Sequence, residues 1–262
     1  MFIVGNWKMH MLLEPAVKLA LGIEKTATEH PEVHAWIAPP FTALHAVRDI
    51  SLQRVKYGAQ NVHWEPHGAF TGEISSSMLK ELGCCFAITG HSERRQYFNE
   101  SDATVNKRTL QTLKEGLVPI LCIGETLSER EAKETEKVLS RQLKGGLEGL
   151  QTSWLQALGT APLLIAYEPV WAIGTGKVAT ESEIEAAHSF IRKELQLLGF
   201  SETESNGGQT KKTPPILYGG SVKPENFEGI ARIPNVGGAL VGGASLQLES
   251  FSELVKIAAR VE

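Results

Sequence analysis

Cysteine is scarce in this sequence: three residues in 262, the neighbours Cys84 and Cys85 and the separate Cys122. So few thiols, odd in number, exclude a disulfide framework; they read as small core residues and predict a reducing, cytoplasmic location. Neither sign of charge is in large excess, with 26 basic and 30 acidic residues and a slightly acidic formal net charge of -4. No general field therefore attracts nucleic acid or anionic lipid, and neither is expected as a partner. No apolar run approaches the length of a membrane span. The opening residues, Met1 to Lys8, lack the basic segment and cleavage site of a signal peptide. What is present is 42% hydrophobic residues with 25 Gly and 12 Pro, which excludes a disordered chain or a collagen-like repeat and suffices for one large domain or two ordinary ones.

Short apolar runs alternate with longer stretches of helical period along the whole chain. The runs are Phe2–Trp7, Val33–Ala38, Val55–Gln60, Cys85–Thr89, Val118–Ile123, Leu163–Glu168, Pro215–Tyr218 and Gly238–Val241. They are rich in branched residues and lack strict apolar–polar alternation, as parallel strands buried on both faces do. Their spacing gives units of about 33 residues, the size of a strand–helix repeat. Between them, Ile184, Ala187, Ile191, Leu195 and Leu198 form an apolar stripe at helical spacing. Thr180 with Glu183, and Thr126 with Glu129, have capping-box spacing. Glu129 and Lys133 stand in position to pair along a helix, and Pro224 suits a first helical turn. With no break in composition, the pattern predicts one α/β domain over residues 1–262, a (β/α)8 barrel rather than a doubly wound sheet, since the first strand is not followed by a glycine-rich turn. The polar stretch Glu202–Thr213 reads as an exposed excursion before the seventh strand.

A barrel gathers its chemistry at the C-terminal ends of its strands. There the sequence offers Asn6-Trp7-Lys8, Gly90-His91-Ser92-Glu93, Glu168-Pro169, Gly219-Gly220-Ser221 and Gly242-Gly243-Ala244-Ser245. The two glycine turns are either tight strand-to-helix connections or, acting together, a phosphate site made of backbone N–H groups. His91, near a helix start that disfavours an imidazolium, is either capped structurally or a neutral ring that polarises a carbonyl. Glu168 is a base for a carbon-bound proton, or a strand-end acid paired with Lys8. Lys8 neutralises a bound anion, forms a Schiff base, or is a solvated charge. The segment Pro169–Lys177 reads as a lid with an apolar Val-Trp-Ala-Ile tip between a proline and two glycines. His63 and His67 stand four apart, but Pro66 between them argues against a metal-binding helix.

Five stretches in order resemble the triosephosphate isomerase family: Gly5–Lys8, Gly90–Arg95, Ala166–Lys177, Tyr218–Val222 and Leu240–Leu246, with Gly58–Asn61 and Gly68–Ile74 adding to the match. The resemblance spans almost the whole chain. It implies a TIM barrel that interconverts dihydroxyacetone phosphate and glyceraldehyde 3-phosphate through an enediolate, with neither cofactor nor metal. In that pattern Glu168 carries the proton and His91 is the neutral electrophile, an assignment that is a standard illustration of side-chain tuning. Lys8 and Asn6 stabilise charge on the substrate oxygens, Glu93 supports them, and backbone N–H groups of Gly174, Ser221, Gly242 and Gly243 hold the phosphate. The resemblance also implies a homodimer formed through the long loop Asn61 to Ser75, with Thr71 reaching the partner. Three features depart from the pattern. Asn235 and Gly237 stand where acids are common, which puts an ion pair to Arg192 in doubt. Ser76 replaces a proline, and the Glu202–Thr213 excursion is long. The alternative class is a barrel that binds sugar phosphates without catalysis, or one that uses a Schiff base.

Overall fold

The apolar runs become eight parallel strands that close into a barrel: β1 (Phe2–Asn6), β2 (His34–Ala38), β3 (Lys56–Ala59), β4 (Phe86–Thr89), β5 (Val118–Ile123), β6 (Leu164–Tyr167), β7 (Ile216–Tyr218) and β8 (Gly238–Val241). The computed structural model describes residues 1–151, 163–173, 178–200, 203–204, 210–211 and 213–261. Each strand pairs with its sequence neighbours, and β8 closes on β1 with Phe2 opposite Gly238 and Gly5 opposite Val241. Strand ends are trimmed by one or two residues from the sequence reading, which moves Trp7, Gln60 and Glu168 into the connections at the barrel mouth.

Period-two geometry explains why the strands are apolar on both faces. Phe2, Val4, Trp36, Phe86, Ile120, Leu164 and Leu240 fill the barrel interior, where Trp36 stacks on Phe86 with centroids 4.9 Å apart. Ile3, Ile37, Leu121, Ile165 and Ile216 alternate with them and pack outward against the helices. Continuing the inward series toward the mouth leads from Phe2 and Val4 to Asn6 and Lys8, and from Leu164 and Ala166 to Glu168.

Helices cover the outside. They include α1 (Leu13–Glu29), α2 (Phe41–Asp49), α3 (Ser76–Glu81), α4 (Ser92–Tyr97), α5 (Asp102–Lys114), α6 (Leu127–Glu131), α7 (Thr135–Leu147), α8 (Glu181–Leu197), α9 (Pro224–Ala231) and α10 (Leu248–Val261). Both capping boxes form, at Thr126 for α6 and at Thr180 for α8, and Pro224 opens α9. The expected Glu129–Lys133 pair does not. Helix α6 stops at Glu131, and Lys133 takes a left-handed φ of +57°. The Glu129 carboxylate turns back to its cap, accepting the Thr126 N–H at 2.8 Å. In α8 the stripe holds for Ile184, Ala187, Ile191 and Leu195, whereas Leu198 falls beyond the last turn and is 38% exposed.

The departures from the family pattern are absorbed locally. Asn235 meets Arg192 through a hydrogen bond of 3.4 Å, its side-chain oxygen accepting from the guanidinium, and sits at φ +66°, a conformation Asn tolerates. Ser76 begins α3, where its hydroxyl accepts from Gln111 at 3.0 Å. Within the 202–213 stretch, Thr203–Glu204 pairs antiparallel with Thr210–Lys211; the expected exposure of its side chains lies outside the described residues. Cys84 and Cys122 are buried and Cys85 half-buried, all three unpaired.

Candidate active site

The inward positions at the strand ends meet in a cleft of about 720 Å³ lined by Asn6, Lys8, His91, Glu93, Glu168, Ser221, Gly242 and Gly243, a size typical of small-molecule sites. Gly174 lies outside the described residues. All the other residues singled out in the sequence are therefore brought to one mouth.

Lys8 follows β1 in a left-handed conformation, φ +50°, which a non-glycine residue adopts only when its surroundings hold it there. Two neighbours do so. The Asn6 side-chain oxygen accepts the Lys8 N–H at 3.0 Å, and the Gln60 amide donates to the Lys8 carbonyl at 2.8 Å and to the Ala38 carbonyl at 2.9 Å. The Lys8 ammonium is thereby aimed across the mouth at Glu93, 2.5 Å away. Glu93, not Glu168, is its ion-pair partner.

His91 is the N-cap of α4. Its Nδ1 accepts the Glu93 backbone N–H at 3.2 Å, so the ring's proton belongs on Nε2. Nε2 lies 3.0 Å from one oxygen of Glu168, and the other oxygen accepts the Ser92 backbone N–H at 2.8 Å. Glu168 is only 2% exposed, so these donors replace the water it has lost. Beneath it lies Cys122, whose thiol is pushed well above its ordinary value by burial and then by the Glu168 carboxylate. It stays a thiol and adds no second negative charge.

Two glycines make room for this acid. A Cβ on Gly124 would meet the Glu168 carbonyl oxygen at 1.7 Å, and one on Gly219 would meet the Glu168 Cγ at 2.9 Å. The described part of the segment read as a lid is held in place at its start. Val170–Ala172 is a 3-10 turn, with the Trp171 indole donating to Glu125 at 2.9 Å and the Ser221 hydroxyl to the Ala172 carbonyl at 2.9 Å. Residues 174–177 lie outside the described residues. At the glycine turns, Gly220 has no room for a side chain, its Cβ position being 2.2 Å from the Tyr218 hydroxyl. The segment Gly243–Leu246 starts a 3-10 helix at the cleft, so its first N–H groups have no partner within the helix.

Gln60, Gly124, Glu125 and Arg130 were not assigned roles from the sequence. Gln60 sits in the matching stretch Gly58–Asn61, and Glu125 lies just past the end of β5 as Glu168 lies just past the end of β6. A strand-end acid in the neighbouring unit was the signal available for the latter.

Comparison with known proteins adds three matches to this geometry. The family model described as triosephosphate isomerase matches residues 1–258. A triosephosphate isomerase of Moorella thermoacetica is 48% identical over 255 residues, covering 97% of this chain and 96% of that protein. One of Rhodopirellula baltica is 46% identical over 257 residues, covering 98% and 96%. With these matches running nearly end to end, the chain belongs to the triosephosphate isomerase family.

Proposed function

We propose that Glu168, His91 and Lys8 carry out the family's reaction here, the interconversion of dihydroxyacetone phosphate and glyceraldehyde 3-phosphate. Glu168 takes a proton from one carbon and returns it to the next. His91 donates its Nε2–H to the carbonyl oxygen and recovers a proton from the neighbouring hydroxyl, which becomes the new carbonyl; Lys8 and Asn6 stabilise the developing negative charge, and Glu93 orients Lys8. The backbone N–H groups of Ser221, Gly242 and Gly243, with Gly174, hold the phosphate. Atoms and electrons balance within the substrate, so the reaction consumes no co-reactant.

The observation that carries this reading is the 3.0 Å contact between His91 Nε2 and Glu168. A substrate carbonyl that accepts the His91 proton takes it from Glu168. Its arrival therefore polarises the carbonyl and releases the base in one exchange. The Schiff-base alternative is disfavoured by the Lys8–Glu93 ion pair, since imine formation needs a neutral amine.

We further propose one domain over residues 1–262 and a homodimer through the loop Asn61 to Ser75. The tip of that loop is exposed from Glu65 to Glu73, while its base is held by Arg108, which donates to Asn61 at 3.2 Å and also bonds the Val62 carbonyl. Three free thiols fit a cytoplasmic location. Among the described residues no helix is long and apolar enough to cross a membrane. The small-molecule substrate is the ligand expected, with neither nucleic acid nor lipid.

A coupled assay of triose phosphate interconversion on the unmodified protein and on Glu168→Asp tests the assignment. Withdrawing the carboxylate by roughly 1 Å is expected to lower kcat on the order of 10²-fold with little change in KM. A Glu168→Asp rate equal to that of the unmodified protein would remove Glu168 as the base.

A further inference from the structure

Glu125 is fully buried, and a single oxygen of its carboxylate serves three donors. It receives the Trp171 indole N–H at 2.9 Å and the Tyr167 hydroxyl at 3.2 Å, and its third contact is one guanidinium nitrogen of Arg130 at 3.4 Å. Arg130 also lies over the Trp171 ring, its guanidinium carbon 4.4 Å from the centroid, and its other terminal nitrogen pairs with Glu183. Glu183 is the third residue of α8 and closes the capping box with Thr180, whose backbone N–H it accepts at 2.8 Å. One guanidinium thus touches both chain segments that flank residues 174–177: Trp171 before them, and the start of α8 after them.

Glu168 stands three residues before Trp171. The backbone between them is pinned to the same neighbour strand, with the Glu168 N–H donating to the Ile123 carbonyl at 2.8 Å and the Val170 N–H to the Glu125 carbonyl at 3.1 Å. A tilt of Trp171 is therefore passed back along Val170 and Pro169 to the acid. We infer that Arg130 is a positioning residue for the reaction: by joining Trp171 to Glu183 and balancing Glu125, it fixes the strand end from which Glu168 works. The inference rests on Glu168 being the base. Arginine suits the task where lysine does not, because it needs a flat face for the indole and two separate N–H edges for the two carboxylates.

The test compares Arg130→Lys, Glu183→Gln and the double variant. Arg130→Lys keeps the charge but loses the face and the second edge, and Glu183→Gln keeps the helix cap while removing the charge that Arg130 meets. For each, kcat and KM are measured together with the emission of Trp171, isolated as the difference from the same protein carrying Trp171→Phe. Arg130→Lys is expected to lower kcat about tenfold with KM changed by less than about twofold, because the turn at Gly242 and Gly243 is untouched. Glu183→Gln moves kcat in the same direction by less, both variants shift the Trp171 emission, and the double variant is no slower than Arg130→Lys alone.

Variants that melt earlier but keep kcat would reduce Arg130 to a structural role and overturn the proposal. So would losses that simply multiply in the double variant, or a fall in kcat with the Trp171 emission unchanged. Should Arg130→Lys fail to fold, Glu183→Gln, which leaves Arg130 in place, carries the test. An unaltered rate in Glu168→Asp would count against the base alone, and the Trp171 emission would still report whether Arg130 sets the indole.

Discussion

Gly124 has no space for even a methyl group, and the reason lies in the neighbouring strand end. Its backbone is fixed on both sides by Gln142, which accepts the Gly124 N–H at 2.8 Å and donates to its carbonyl at 3.2 Å. The Glu168 carbonyl fills the place of a Cβ. In Gly124→Ala the ends of β5 and β6 must part, and the change is expected to cost about 1–3 kcal/mol of stability while lowering kcat by displacing Glu168. Urea unfolding and the coupled assay read the two effects. An unchanged midpoint and rate would mean that the strand ends separate freely. Cys122 belongs to the same scale: its high thiol value follows from burial and from the acid above it, so it acts as a neutral floor under Glu168.

Helix α8 docks on the barrel through His188, a fully buried ring edge-on to Tyr167 of β6 at 5.9 Å and tilted against Tyr218 of β7 at 6.5 Å. Its Nδ1–H donates to the Asn235 carbonyl at 3.2 Å. Burial, with a smaller push from Arg192, lowers its pKa from 6.5 to about 4. The unfolded chain therefore binds a proton below pH 6.5 that the folded protein refuses until about pH 4, and stability is lost as pH falls through that window. Compared with His188→Asn, which keeps a donor near Nδ1, the unmodified protein is expected to lose on the order of 3 kcal/mol more between pH 7 and pH 4. Urea midpoints at fixed protein concentration check this, and parallel loss in both proteins would show that His188 is protonated without cost to the fold.

At the scale of the whole molecule, large apolar side chains are left uncovered at the mouth end of the barrel. Met9 is 95% exposed, Leu12 81%, Tyr97 67%, Phe98 64% and Phe70 42%, all in connections that follow β1, β3 and β4. A soluble monomer rarely leaves so much apolar surface in one region, which supports the proposed dimer. Sedimentation equilibrium is expected to give twice the mass of the chain for the unmodified protein. Thr71→Arg, a bulky charge at the loop tip, is expected to give a monomer with kcat reduced at least about tenfold. A monomeric unmodified protein would remove the dimer from the proposal.

The strands, the two capping boxes and the opening of α9 were legible in the sequence because each depends on residues within a few positions of one another, through branched apolar runs, a Thr-x-x-Glu spacing or a first-turn proline. Their place at the ends of strand runs also pointed Asn6, Lys8 and Glu168 toward the mouth. The partners of those residues were not legible. Lys8 meets Glu93 across 85 positions and Glu168 meets the Ser92 N–H across 76, and such pairings exist only once the barrel has closed with a given register. The same closure joined Trp171 to Glu125 and Ala172 to Ser221, turned Glu129 to its cap instead of Lys133, and gave Gly124 its role. A sequence carries the local preferences that build each strand and helix, but which charge faces which is decided by the geometry of eight strands meeting at once.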